Sequence, residues 1–387
     1  MDFTTATRHL CAAAYLDEDF RDTVLREVYQ QPYRAVAPSY GFTLGPVLGH
    51  CLRARTVALI RDGLVVVIVA AAVLTRWLPA LLLVAGCSAG WHLWRRSQLR
   101  LFRPGSVPSS PAVTARITEI ERLQYGNTVI HDFDPYVGAG EVIGNWGVIR
   151  SLPGCPPFAA DELVAHLGTC LGSLVGGPGA DPTGSIPGLT VTDRVFLAGT
   201  EARRLNPMIS PHEISRIIRN PAPPARHHLA CQVVSSGGEV VTTVHVHVAM
   251  QARSLYLEAV TTVLLPCHED YRAADREDQP RWWRVLGEGV ALAPGVALRA
   301  PARLIRSLPG LRQRFRSAEG VTPGFDHGAI LGVREMAATA GPGSLERHPD
   351  VRKHQRLIEH RVRAAVRDFL EARGVLCPDL APAPECV

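Results

Sequence analysis

The chain has 387 residues, 47% of them hydrophobic and 20% charged, and its net charge is +5. That length accommodates two domains or one large one with appendages, and the composition is that of a mostly globular chain with a small membrane portion. Lys353 is the only lysine, so the modest positive charge is arginine, and no stretch combines dense basic charge with interleaved aromatics as a nucleic-acid surface requires. Nucleic acid is therefore not an expected partner. The nine cysteines (11, 51, 87, 155, 170, 231, 267, 377 and 386) are scattered and form no C-x-x-C pair. This spacing fits neither a zinc ribbon nor a disulfide framework and is read as reduced thiols. The N-terminus lacks a basic region followed by a long apolar core, so no secretory signal is expected.

Residues 7 to 30 read as helix interrupted at Asp17–Asp19, and Gln31-Pro32 ends it. A short helix near Val47 to Arg55 follows the turn-rich VAPSYGF. Residues 1–55 are thus read as an N-terminal helical arm.

Residues 56–96 are the most distinctive stretch. Between Gly63 and Trp94 the only formal charge is Arg76. Val57 to Thr75 and Trp77 to Trp94 are each close to the roughly 20 residues that cross a bilayer, and almost no loop joins them. Trp77, Trp91 and Trp94 lie near the ends, where amphipathic aromatics favour the headgroup region. Arg53, Arg55 and Arg61 precede the pair, and Arg95, Arg96, Arg100 and Arg103 follow it. Positive charge on both flanks predicts a two-span hairpin in the inner (plasma) membrane with both termini cytoplasmic, and the lipid bilayer is the expected partner of residues 57–94. The first segment reaches full length only if Arg61 and Asp62 sit at the interface. The pattern therefore also fits a re-entrant hairpin or a buried hairpin in a soluble core.

PGSVPSSP (104–111) is a linker, and residues 112–375 read as a cytoplasmic α+β domain ahead of a disordered Pro-rich tail at 376–387. The expected elements are a helix from Ala112 to Tyr125, strands at Asn127–Phe133 and Val142–Leu152, a helix at Asp161–Leu174, a loop at 176–188 and a strand at Leu189–Leu197. A short helix capped by Ser210 comes next. Three strands then read as an antiparallel β-meander packed on helices, the first two joined at Gly237-Gly238. His268 to Arg276 starts another helix. Pro294, Pro301 and Pro309 break residues 281–316 into short pieces, and Gly320 to Gly343 is a loop. Val351 to Arg373 is an amphipathic helix with the stripe Ile358, Val362, Ala365 and Phe369.

Three constellations are candidates for chemistry. Turning the meander at Gly237-Gly238 pairs Val234 with Val241, Ala230 with His245 and His228 with His247. A second two-residue turn at Gln251-Ala252 places Glu258 opposite His245 and Tyr256 opposite His247. His228, His245, His247 and Glu258 then share a face as candidate zinc or iron ligands. The competing reading is a structural face, the wetter side of a half-buried sheet, with Leu229, Cys231, Val233, Val240, Val244 and Val246 packed on helices from the other side. The loop His131-Asp132 to Glu141 carries His131, Asp132, Asp134, Gly138, Gly140 and Glu141 as a candidate ligand loop, against a tight turn with solvated acids. Its V-G-A-G lacks the phosphate-binding glycine and helix of a dinucleotide site. Arg299, Arg303 and Arg306 share one helical face and are candidates for lipid contact. No motif identifies a cofactor, and the nucleophile-elbow, Walker A, H-E-x-x-H, kinase and EF-hand patterns are missing.

RHLCAAAYLDEDFRDTVLREVY, YRAVAPSYGF, DPYVGAGE and the strand pair C-Q-V-x-S-x-G-G-E-V-V-T-T-V resemble a family of uncharacterised actinobacterial integral membrane proteins. The resemblance spans most of the chain. It implies a membrane location and brings no activity, cofactor or catalytic residue. The expected function is a membrane-anchored cytoplasmic interaction or regulatory module, with a protein partner or self-association; the alternative is a membrane-tethered enzyme, such as a metal-assisted hydrolase.

Overall fold

A computed structural model describes residues 4–76, 79, 81–106, 108–152, 157–176, 183–202, 206–220, 224–275, 281–313, 325–338 and 345–375. Trp77, the loop at 177–182, both ends of the expected loop 320–343, and the tail 376–387 lie outside them. The fold is α+β, with a mixed six-stranded sheet and helices.

The first helical stretch is interrupted where the sequence places the break, at Asp17–Asp19. Helix α1 (Thr4–Leu16) gives way to α2 (Glu18–Val24) where Asp17 accepts the Phe20 N–H at 2.9 Å as an N-cap. Helix α3 (Leu44–Thr75) is one continuous helix, where a separate short helix was expected before the apolar run. Nothing in Val47–Thr56 breaks it, since Gly49 is the only weak helix former there and it packs against Ser110. Helix α4 is Leu81–Leu99, and α5 (Ala115–Gln124) is capped by Thr114.

The sheet is built from β1 (Thr128–His131), β2 (Glu141–Ser151), β3 (Leu189–Ala198), β4 (Ala225–Ser235), β5 (Val240–Gln251) and β6 (Ser254–Leu264) in the order β1-β3-β4-β5-β6-β2. Only β1 and β3 are parallel. The β4–β5 register is the expected one, Val234 opposite Val241 and Ala230 opposite His245. The turn spans residues 236–239, with Gly237 and Gly238 at φ +65° and +93°. At β5–β6 the turn lies one residue further along, on Ala252-Arg253, so Glu258 faces His247 and Val260 faces His245. Ala252 and Arg253 both take positive φ there. That type of turn fits the twist of the strands despite the absence of glycine.

One sheet face packs on α6 (Ala160–Gly172), α7 (Pro211–Arg219) and α10 (Pro349–Glu371). Leu229, Cys231, Val233, Val244 and Val246 are buried there with Leu163, Leu167, Ile214 and the α10 stripe Ile358, Val362, Ala365 and Phe369. The N-terminal helices build a second core with the root of α3, with α5, and with Cys267, Tyr271, Val333 and Ala337. Polar bonds reinforce it. Asp275 accepts Arg8 Nη1 and pairs with His9 Nε2, each at 2.6 Å, and the Tyr271 hydroxyl donates to Asp17 at 2.6 Å.

Helix α8 runs unbroken over Trp282–Gln313, where the three prolines were expected to divide it. It packs along both α3 and α4. Gly289 lies so close to α4 that a Cβ would stand 2.6 Å from the Ala89 Cα. Ala293 and Ala300 are buried with Val65 and Val84, while Pro294 and Pro301 occupy the exposed side. Interlocking on a small-residue face offsets what each proline costs the helix backbone.

Arg334, in the short helix α9 (Val333–Met336), is 1% exposed. Its Nη1 donates to the carbonyls of Tyr40 (2.7 Å) and Gly41 (3.1 Å), and its Nη2 to those of Gly238 (2.9 Å) and Glu239 (2.6 Å). Arg334→Met leaves these carbonyls unmet and should cost on the order of 3 kcal/mol or more. Thermal unfolding in detergent, followed by tryptophan fluorescence, checks this; Arg334→Lys should recover only part, because an ammonium cannot span the fork.

Candidate functional site

His228 and His245 are buried, and His247 and Glu258 are half-buried. Segments 33–42, 131–139 and 325–338 form a second layer over this face of the sheet, anchored by Ala37, Tyr40, Val137, Ala139 and Ala329. The layer covers the β3–β5 part of this face, while toward β2 the face stays open, with Ile149 69% exposed and Tyr256 and Glu258 half-buried. His245 is fully buried, with Tyr136 and Phe196 at ring-centroid distances of 4.9 and 5.7 Å. His228 stacks on His247 at 4.9 Å and lies 6.5 Å from His245. His247 Nδ1 donates to the His227 carbonyl at 2.7 Å.

These contacts are those of aromatic packing. His228 and His247 are stacked with their planes 29° apart, His245 stands at 83° to His228, and His247 Nδ1 is already committed to the His227 carbonyl. Among the described residues no group of three or more His, Cys, Asp or Glu is disposed to hold a metal ion. Burial pushes His228 well down, lowers His247 and brings His245 to about 3. All three are neutral at physiological pH.

The 131–141 loop is engaged within the molecule. Gly138 and Gly140 take φ of +85° and +88°, which favours glycine, and a Cβ on Gly140 would stand 2.0 Å from the Val263 carbonyl oxygen. The Gly138 N–H donates to Glu335 Oε2 at 2.9 Å, and the Gly140 N–H bonds the same carboxylate. The concavity that glycine amides form for an anion is thus filled by Glu335. Burial raises the Glu335 carboxyl despite these bonds. Asp134 accepts the Tyr136 N–H at 2.8 Å in a local turn. His131 Nδ1 donates to the Asp132 carbonyl at 2.9 Å. Asp132 is hydrogen-bonded to Asp326, and the shared proton raises Asp132 while Asp326 is lowered. Glu141 begins β2 opposite Val263.

The arginine row lies on α8. Arg303 pairs with Glu18 at 2.7 Å. Arg303 and Arg306 line a cleft of about 280 Å³ between α2, the root of α3 and α8; Arg299 is not among its lining residues. Asp19 and Arg55 also line it. Sequence reasoning did not reach these two, nor Glu335 and Arg334. The only sequence signal for the last pair was two adjacent charges in an otherwise apolar run, LGVREMAA.

Among the described residues one helix, α3, is long and apolar enough to cross a membrane, and 28% of its apolar window is buried. Helix α4 does not meet that measure, so a pair of spans is not shown.

A model of the AbeC-like domain matches residues 147–381, more than half of the chain. No curated protein and no solved structure matches.

The buried histidines give the fold an acid sensitivity. Between pH 6.5 and about 3 an unfolded chain protonates an imidazole that the folded chain holds neutral at His245, so stability falls as pH falls through that window. His245→Phe keeps the aromatic packing and removes the titration. Its melting temperature should decline less than that of the unmodified chain between pH 6.5 and 4.5, as scanning calorimetry in detergent would show; parallel profiles would refute the assignment.

Proposed function

We propose that this chain, which belongs to the AbeC-like domain family, is a membrane-anchored protein whose α+β domain works at the cytoplasmic surface as an interaction or regulatory module. The observation that carries this reading is the exposed apolar surface of three helices packed on one another. It comprises Ile60, Val67, Val73 and Leu74 on α3, Leu82 and Leu83 on α4, and Leu286, Val290, Leu292, Leu298 and Ile305 on α8. Leu74 and Leu298 are 83% and 82% exposed. Water penalises such a surface by about 25 cal/mol per Å², and patches of this kind on soluble chains mark membrane or partner contacts.

The α3 run from residue 58 to 75 measures about 27 Å at a rise of about 1.5 Å per residue, close to the hydrocarbon thickness of a bilayer. In this reading α3 and α4 form the hairpin, α8 lies against it, and the flanking Arg53, Arg55, Arg95, Arg96, Arg100 and Arg103 hold both ends on the cytoplasmic side. Within this region Arg61 pairs with Asp62 at 2.6 Å, buried in protein, and Trp91 stacks 4.9 Å from the guanidinium. Buried against protein, the pair avoids the lipid-facing penalty of a charge. The two cores described above fix these helices to the sheet, so binding at the domain surface is coupled mechanically to the anchor.

Alkaline carbonate extraction of membranes carrying the full chain tests the anchor, with the full chain expected in the pellet. Cysteines placed at Leu74 and Leu298 should resist a membrane-impermeant maleimide in inside-out vesicles, whereas one at Arg253, in the β5–β6 turn, should react. Release by carbonate, or labelling of Leu298→Cys equal to Arg253→Cys, would overturn the reading of α8 as lipid-facing.

A further inference from the structure

The cleft at the root of the hairpin lies where the polar and apolar surfaces of the molecule meet. Its floor includes Ala58, Leu59 and Asp62 of α3 and Arg303, Arg306 and Ser307 of α8. The next outward side chains, Ile60 and Leu64 on α3 and Ile305 on α8, are all exposed. Its other wall is α2, with Asp19, Arg21 and Asp22, and the turn that follows it, with Arg26. Both charge signs are therefore present in one concavity of about 280 Å³.

Most of these charges already have partners. Arg303 holds Glu18, Arg21 Nε donates to Asp22 at 2.9 Å, and Arg61 holds Asp62. Arg26 donates to Glu27 at 2.7 Å. Among the described residues, Arg306 and Asp19 enter no hydrogen bond or ion pair and both are exposed to water, so one group of each sign lining the cleft is accessible to a ligand. Guanidinium is the side chain best shaped for phosphate oxygens, and a carboxylate takes an ammonium.

We propose that this cleft binds a phospholipid headgroup that carries a phosphate beside an ammonium. Arg306 meets the phosphate, Asp19 meets the amine, and the acyl chains run onto Ile60, Leu64 and Ile305. The inference rests on the membrane reading above, which places those three residues in lipid. A bound headgroup would bridge α2 to α8, adding a lipid-dependent tie between the N-terminal core and the anchor. Glycerophosphoethanolamine carries the same two charges in water-soluble form, so the lipid and its free headgroup have to be separated by experiment.

The test is native mass spectrometry of the full chain released from nanodiscs containing equal phosphatidylethanolamine, phosphatidylcholine and phosphatidylglycerol. One phosphatidylethanolamine should be retained, and retention should fall about tenfold in Arg306→Gln and in Asp19→Asn, the scale of one charge-assisted contact. Arg122→Gln, on the distant exposed face of α5, should leave it unchanged. Equal retention by all variants, equal retention of the three lipids, or binding of glycerophosphoethanolamine without any retained lipid would each overturn the proposal. Carbonate extraction of the same variants keeps the two readings apart. Loss of lipid with the chain still in the pellet supports a cleft distinct from the anchor. Release of the unmodified chain overturns the anchor, and the retained-lipid result still decides the cleft.

Discussion

The guanidinium of Arg334 is the point at which the molecule is held together. It joins the carbonyls of Tyr40 and Gly41, just before α3, to those of Gly238 and Glu239 at the β4–β5 turn. A Cβ at Gly41 would stand 2.5 Å from Arg334 Nη1, so the glycine and the arginine require one another. A buried charge is costly unless its hydrogen-bonding capacity is met, and here both terminal nitrogens are met twice. Glu239 extends the junction through its carboxylate, which reaches Arg272 at 3.0 Å and His9 at 3.4 Å. The helices that carry the apolar surface are thereby fixed to the sheet by polar bonds as well as by packing.

The two faces of the sheet are packed by different means, and the second is left open toward β2. Helices α6, α7 and α10 cover one face with aliphatic side chains. Irregular segments cover the other, and these must satisfy their own backbone groups. They do so by internal bonding, as in the Ala35 N–H to His327 carbonyl at 2.8 Å, the Ala329 N–H to Ile130 carbonyl at 2.9 Å, and the two glycine amides on Glu335. Three imidazoles under such a layer act as aromatic packing units. Removing them from water suppresses the charge that would make them acid–base groups.

The apolar three-helix body follows from packing between small side chains. Gly289 admits α8 against the α4 backbone, and Ala293 and Ala300 continue the contact against α3 and α4. Their outward neighbours are large and apolar, so closing the inner face leaves an apolar outer one. The charged groups are drawn to the root of this body, where Glu18 takes Arg303 from α8 and approaches Arg61 of α3 at 4.0 Å. The cleft beside them combines the two surfaces.

What the sequence determined was local. The helix interruption at Asp17–Asp19, the α10 stripe, the β4–β5 register and the helix-facing side of the meander all follow from periodicity and turn chemistry within a short span of chain, and the structure has them. The β5–β6 register was misplaced by one residue per strand because Ala252 and Arg253 adopt a positive-φ turn that their side chains do not advertise. Other features needed distant residues. The prolines of α8 are tolerated because other helices fill its inner face, and His228 and His245 are buried because segments from 33 to 42 and 325 to 338 return over them. The burial of Arg334 and the half-burial of Glu335 are set by partners about 100 to 300 positions away, from Tyr40 to Gly138 and Glu239. Side-chain pattern records which face of an element is apolar; whether a partner arrives to cover it, and what polar groups that partner brings, is decided only when the chain closes.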